Sequence, residues 1–73
     1  MSKLYSARQI LQSLKVLGFK IISQKGSHIK LRGIIEGKMQ TVIVPNHKEI
    51  AKGTFSSILS QANITRKEFE ANI

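Results

Sequence analysis

The chain contains no cysteine and no aspartate, and it has only two histidines, four glutamates and one proline. Without cysteine there is no disulfide framework, no thiol nucleophile, no iron–sulfur cluster and no cysteine-based zinc site. Two histidines and four glutamates are poor material for an all-protein metal site, and they leave little for paired-carboxylate catalysis. No metal and no cofactor is expected. No apolar run approaches the roughly 20 residues of a membrane span. The segment Met1-Ser2-Lys3-Leu4-Tyr5 lacks the apolar core of a signal peptide, so the expected compartment is the cytoplasm and no membrane contact is expected.

What is present is positive charge. Twelve Lys and Arg residues give a formal net charge of +8 in 73 residues, with a sequence pI near 10.4. The charge is uneven: residues 1–38 hold eight basic residues and one acid, residues 39–73 four and three. A basic surface built from the N-terminal half is the usual partner of a polyanion. The apolar fraction of 41% is enough for a small core and argues against disorder. At this length the whole chain, residues 1–73, is expected to form a single domain of modest stability. The high charge disfavours self-association, so the free protein is expected to be a monomer.

The pattern predicts helix, three strands, helix and a short terminal helix. Ser6 and Gln9 form a capping box. Ala7, Ile10, Leu11, Leu14 and Leu17 then trace one helical face over about residues 7–17, with Gly18 as the stop. Three β-prone runs follow: Phe19–Gln24, His28–Arg32 and Met39–Val44. Lys25-Gly26-Ser27 lies between the first two, and Gly33–Lys38 is a turn region with its reversal at Glu36-Gly37. Pro45 ends the third strand. Asn46–Lys52 is polar and is expected to be a loop or single turn. A second helix opens at Gly53-Thr54, carries Phe55, Ile58, Leu59 and Ala62, and stops at Asn63. Thr65 and Glu68 form another capping box, before Phe69. The fold class is α+β: an α-β-β-β-α order with a three-stranded antiparallel sheet and a short C-terminal helix, the outline of a double-stranded-RNA-binding fold.

By alternation, Ile29 and Leu31 face the core while His28, Lys30 and Arg32 share the opposite face. A neutral imidazole can serve as a general base, and Lys25, Lys30 and Arg32 can hold a phosphate beside it. An exposed strand-end histidine with no function explains the same pattern about as well. His47, in Pro45-Asn46-His47-Lys48, reads as a loop histidine capping a turn or the following segment rather than as a catalytic group. Gly53-Thr54 reads as a plain helix cap, with phosphate contact by the backbone amides as the rival. Lys3, Arg8 and Lys15 extend the basic patch or form a solvated helix face.

The chain resembles the HicA toxins, small mRNA interferases of type II toxin–antitoxin systems. The residues that carry the likeness run along almost the whole chain. They are Leu17-Gly18-Phe19, the Gln24-Lys25-Gly26-Ser27-His28 turn, Val44-Pro45 followed by His47, Gly53-Thr54 before Ile58-Leu59-Ser60-Gln61-Ala62, and the tail Thr65-Arg66-Lys67-Glu68-Phe69. The resemblance implies a double-stranded-RNA-binding-like fold and cleavage of RNA (mRNA), and the scarcity of metal ligands makes a metal-independent endoribonuclease the expectation. It implies that His28 is the catalytic histidine. Lys20, Lys25, Gly26, Ser27, Lys30 and Arg32 are then the expected RNA-binding residues. It also implies a HicB-type antitoxin that covers the His28 face. The residues alone leave a rival open, a non-catalytic RNA-binding module of the same fold.

Overall fold

A computed structural model describes residues 4–73. Lys3, assigned to the basic patch, lies outside the described residues. The element order is α1 (Ala7–Val16), β1 (Lys20–Lys25), β2 (His28–Ile35), β3 (Lys38–Pro45), α2 (Lys52–Ala62) and α3 (Arg66–Glu70). The strands form one antiparallel sheet in the order β1-β2-β3. This is the α-β-β-β-α order with a short C-terminal helix, the α+β arrangement of double-stranded-RNA-binding folds.

The helix ends follow from their sequences. Ser6 Oγ accepts the Gln9 N–H at 3.1 Å and Gln9 Oε1 accepts the Ser6 N–H at 2.9 Å. This satisfies two of the four N–H groups that a helix start leaves unpaired. At the far end Gly18 takes φ +105°, the Phe19 N–H reaches the Leu14 carbonyl, and the Gly18 N–H reaches that of Lys15. That paired geometry turns the chain back and drops Phe19 into the core. Asn63 does the same for α2 at φ 58°, where the Ile64 N–H reaches the Leu59 carbonyl. The Thr65–Glu68 capping box opens α3 as expected.

The core lies on one face of the sheet. Ile29 and Leu31 of β2 and Val42 and Val44 of β3 meet Ala7, Ile10 and Leu14 of α1 and Ile58 and Ala62 of α2. Phe19, Ile50, Ile64 and Phe69 complete it from outside the regular strands and the two long helices. Each such aliphatic or aromatic side chain contributes about 1.5–3 kcal/mol over its exposed state. Among the described residues Ser13 is the one buried polar residue, and its hydroxyl donates to the Phe69 carbonyl at 2.9 Å, tying α1 to α3. Gln61 of α2 accepts the Ile43 N–H at 3.0 Å and so covers part of the β3 edge.

Several details differ from the sequence reading, beyond shifts of one residue at the end of α1, the end of β1 and both ends of β3. The first strand starts at Lys20 rather than Phe19, because Phe19 leaves the strand line to enter the core. All six β1 residues are exposed, and a bulge between Ile21 and Ser23 breaks their alternation. The second strand continues through Ile35 instead of ending at Arg32. Gly33 sits within it because a Cβ there would lie 2.8 Å from the Phe19 ring. A glycine read as a turn signal is instead the space that the Phe19 ring fills. The polar Asn46–Lys52 stretch hides Ile50, which is 1% exposed. Finally, α2 starts at Lys52 with Ala51 as its cap residue, and no side chain caps it, so Gly53-Thr54 is not a helix cap.

Candidate functional site

The strand pairing fixes the uncovered face of the sheet. Along β2, His28, Lys30, Arg32 and Ile34 alternate with the core residues Ile29 and Leu31 and with Gly33. Alternate residues lie about 6.6 Å apart. Cross-strand partners share a face. Lys25 and Pro45 therefore flank His28, Ser23 and Ile43 flank Lys30, and Lys20 and Thr41 flank Arg32. Farther along, Ile34 pairs with Met39. The structure thus gathers Lys20, Lys25, His28, Lys30 and Arg32 onto one face. Among the described residues no carboxylate of the three strands shares it. The cations sit within a screening length of about 8–10 Å of their neighbours, so their potentials add.

Gly26 and Ser27 form the two-residue turn that leads into His28. Gly26 takes φ +59°, the left-handed conformation that a glycine supplies at the first position of a tight hairpin turn. Its carbonyl accepts the Gln24 side-chain amide at 3.2 Å. The Ser27 carbonyl accepts the Asn46 N–H at 2.6 Å. The turn is therefore held by a third segment, the loop that follows β3. His28 is exposed at the end of the open face, next to that clamp.

The same loop continues into the helical layer. The His47 N–H closes onto the Pro45 carbonyl, and the His47 carbonyl accepts the Ala7 N–H at the start of α1. The expected capping role of His47 thus falls to its backbone, and the helix it serves is α1. The Ile50 N–H then reaches the Tyr5 carbonyl at 2.7 Å. One consequence escapes the sequence reading: Arg8, His47 and Lys48 line one cleft with Ser6 and Asn46. Residues some forty positions apart meet there, and no periodicity signals it.

The perturbed titrating groups lie elsewhere, on the helical side. The Tyr5 hydroxyl donates to Glu70 at 2.7 Å, and Arg66 Nε pairs with the same carboxylate at 3.1 Å. The Tyr5 hydrogen bond and then the Arg66 one hold the Glu70 carboxyl below its ordinary value. In return the Tyr5 phenol is raised, chiefly by its bond to Glu70. Tyr5, Phe55 and Phe69 pack with ring centroids 5.0–5.2 Å apart, and Arg66 lies over Phe55. This cluster anchors α3 and is part of the packing. Among the described residues no group of three or more His, Cys, Asp or Glu side chains could hold a metal ion, and no helix is long and apolar enough to cross a membrane.

A family model for the HicA toxin of bacterial toxin–antitoxin systems matches residues 7–64 of the 73. The chain belongs to the HicA toxin family. Comparison with curated proteins finds no match. The region shared with other HicA toxins begins at the first residue of α1 and ends at Ile64. It includes the whole sheet, the Gly26-Ser27-His28 turn and the Asn46–His47 loop, and it stops short of α3. Membership gives the chain a toxin role within a toxin–antitoxin pair and implies an antitoxin partner.

Proposed function

We propose that this HicA toxin is a metal-independent endoribonuclease that cuts mRNA, with His28 as its proton-transferring group. The observation that carries the reading is His28 at the end of a cationic, carboxylate-free sheet face, beside Lys25 and in line with Lys30 and Arg32. A phosphodiester laid along this face is neutralised by lysine and arginine side chains. In the reaction, the ribose 2′-oxygen attacks phosphorus and the bond to the 5′-oxygen breaks. The His28 imidazole takes the 2′ proton, solvent supplies the proton for the 5′-oxygen, and a 2′,3′-cyclic phosphate remains. General acid–base transfer of this kind is worth about 10²–10⁴-fold. Lys25, Lys30, Arg32 and Lys20 stabilise the charge that builds on the phosphate oxygens. Gly26 and Ser27 aim the histidine through the clamped turn. A HicB-type antitoxin that covers the His28 face would silence the enzyme by occupying the same cations.

Incubation of the protein with a long single-stranded RNA in EDTA, beside folded His28→Ala protein, tests this reading. The expected result is cleavage by wild type alone, with cyclic phosphate ends. Equal cleavage by both proteins would remove His28 from the chemistry. Salt-sensitive binding without cleavage by either would leave an RNA-binding module.

A further inference from the structure

The cleft between the start of α1 and the loop after β3 has no role in the site described above. Its lining is Ser6, Arg8, Asn46, His47 and Lys48. Three observations make it an unbalanced positive site. None of the Arg8, His47 and Lys48 side chains has a hydrogen-bond or ion-pair partner among the described residues. Arg8 occupies the first turn of α1, and that turn contains no acidic residue. The positive end of a helix disfavours a cation there by a few tenths of a kcal/mol to about 1 kcal/mol, so Arg8 is placed against the local field. No carboxylate lines the cleft. A bound anion would relieve the arginine and the lysine together.

The position of the cleft says which anion. The Asn46 N–H that clamps the Ser27 carbonyl links the cleft to the turn before His28. Asn46 borders both the cleft and that turn, so RNA that passes His28 and bends around this end of the sheet would meet the cleft. Resting on the RNA reading above, we infer that Arg8, His47 and Lys48 form a second phosphate subsite, which grips a phosphate of the RNA beyond the one at His28. Arg8 supplies a forked donor for two phosphate oxygens, and Lys48 a point charge. The His47 imidazole and the Asn46 side-chain amide add hydrogen-bonding capacity at the rim. The subsite binds without taking part in the bond change. It raises affinity for RNA long enough to reach it and gives no advantage to a dinucleotide.

The test uses the full chain and a short 2′-O-methyl oligonucleotide, which blocks cleavage, so binding is read alone. In the Arg8→Gln/Lys48→Gln protein, the plot of log affinity against log salt should lose about 1.4 units of slope, roughly 0.7 for each full charge removed from a single-strand contact. A Lys38→Gln/Lys67→Gln control has the same net charge and should keep the wild-type slope. With cleavable RNA, the cleft variant should show a raised KM and a kcat near wild type, the reverse of His28→Ala. His47→Gln should weaken binding in the same direction. Equal slopes in wild type and cleft variant would overturn the subsite and leave the nuclease reading untouched. A fall in kcat at unchanged KM would also overturn it. So would loss of affinity for polyglutamate without loss for RNA, which would make the cleft a protein-binding surface. If the wild type binds the oligonucleotide but cuts no RNA, the nuclease reading falls; the slope lost in the cleft variant would still support the subsite.

Discussion

The sheet has two hairpin turns of equal length, and they are built differently. Gly26-Ser27 places a glycine where the left-handed conformation is needed, and the Asn46 N–H fixes the Ser27 carbonyl from a third segment. Glu36-Gly37 has positive φ at both residues, 52° and 78°. The first of these belongs to a glutamate, a residue that adopts this conformation at a cost. Around the first turn lie His28, Lys25 and the cationic cleft. Beyond the second, on the open face, lie Ile34 and Met39, each 63% exposed. Both turns use a glycine at positive φ, but the long-range hydrogen bond falls at the end that carries His28. The other end carries the left-handed glutamate.

If the two ends differ in this way, His28→Ala should lower RNA cleavage by about 10²–10⁴-fold with unchanged thermal unfolding. Met39→Ser, on the same face at the other end, should leave cleavage at the wild-type level. Matched kinetics and melting curves of the two variants check this. Next in size is the glycine between the two ends. Gly33→Ala should cost about 1–3 kcal/mol in denaturant unfolding, since its Cβ would lie 2.8 Å from the Phe19 ring and 3.0 Å from the Phe19 Cα. A cost below a few tenths of a kcal/mol would mean that the ring moves aside freely. Glu36→Asn should have the opposite sign and stabilise the fold by about 0.5–1 kcal/mol, because asparagine accepts the left-handed conformation more readily. Its cleavage rate should equal that of wild type.

The smallest effect lies away from both turns and depends on pH. Glu70 is held below the ordinary carboxyl value in the folded state, first by Tyr5 and then by Arg66. Its contribution is present above the unfolded carboxyl pKa and is lost as pH falls through the lowered folded value. Tyr5 is raised, so its contribution is present below the unfolded phenol pKa and is lost as pH rises through the raised folded value. Glu70→Gln should flatten the acid side of the stability profile slightly. An unchanged acid limb would mean that this exposed pair is fully screened.

Local chemistry in the sequence carried far. The Ser6–Gln9 and Thr65–Glu68 capping boxes, the stops at Gly18 and Asn63 and the Glu36-Gly37 reversal depend on residues within a few positions of one another, and all are present. The alternation from His28 to Arg32 assigned the two faces of β2 correctly. What it missed depends on distant partners. Gly33 looked like a turn residue because Phe19, which fills the space above it, is fourteen positions earlier. Ile50 looked like part of a polar loop because its N–H is held by the Tyr5 carbonyl. Arg8 looked like one charge on a solvated helix, and only the His47–Ala7 bond brings it beside His47 and Lys48. The cationic face was visible along one strand, whereas the cleft at its corner exists only once the chain has closed.

That closure sets an order of assembly. The hairpins join at two-residue turns, and such pairs form within about 1–10 μs. The Ala7–His47 and Tyr5–Ile50 bonds instead close a loop of some forty residues, which costs more chain entropy and comes later. By that measure the Arg8 cleft forms after the hairpins. Native-state hydrogen exchange should find the amides of Ala7 and Ile50 less protected than those of Leu31 and Val42 in the central strands. On the proposed RNA reading, binding at that corner requires the loop after β3 to be closed onto α1.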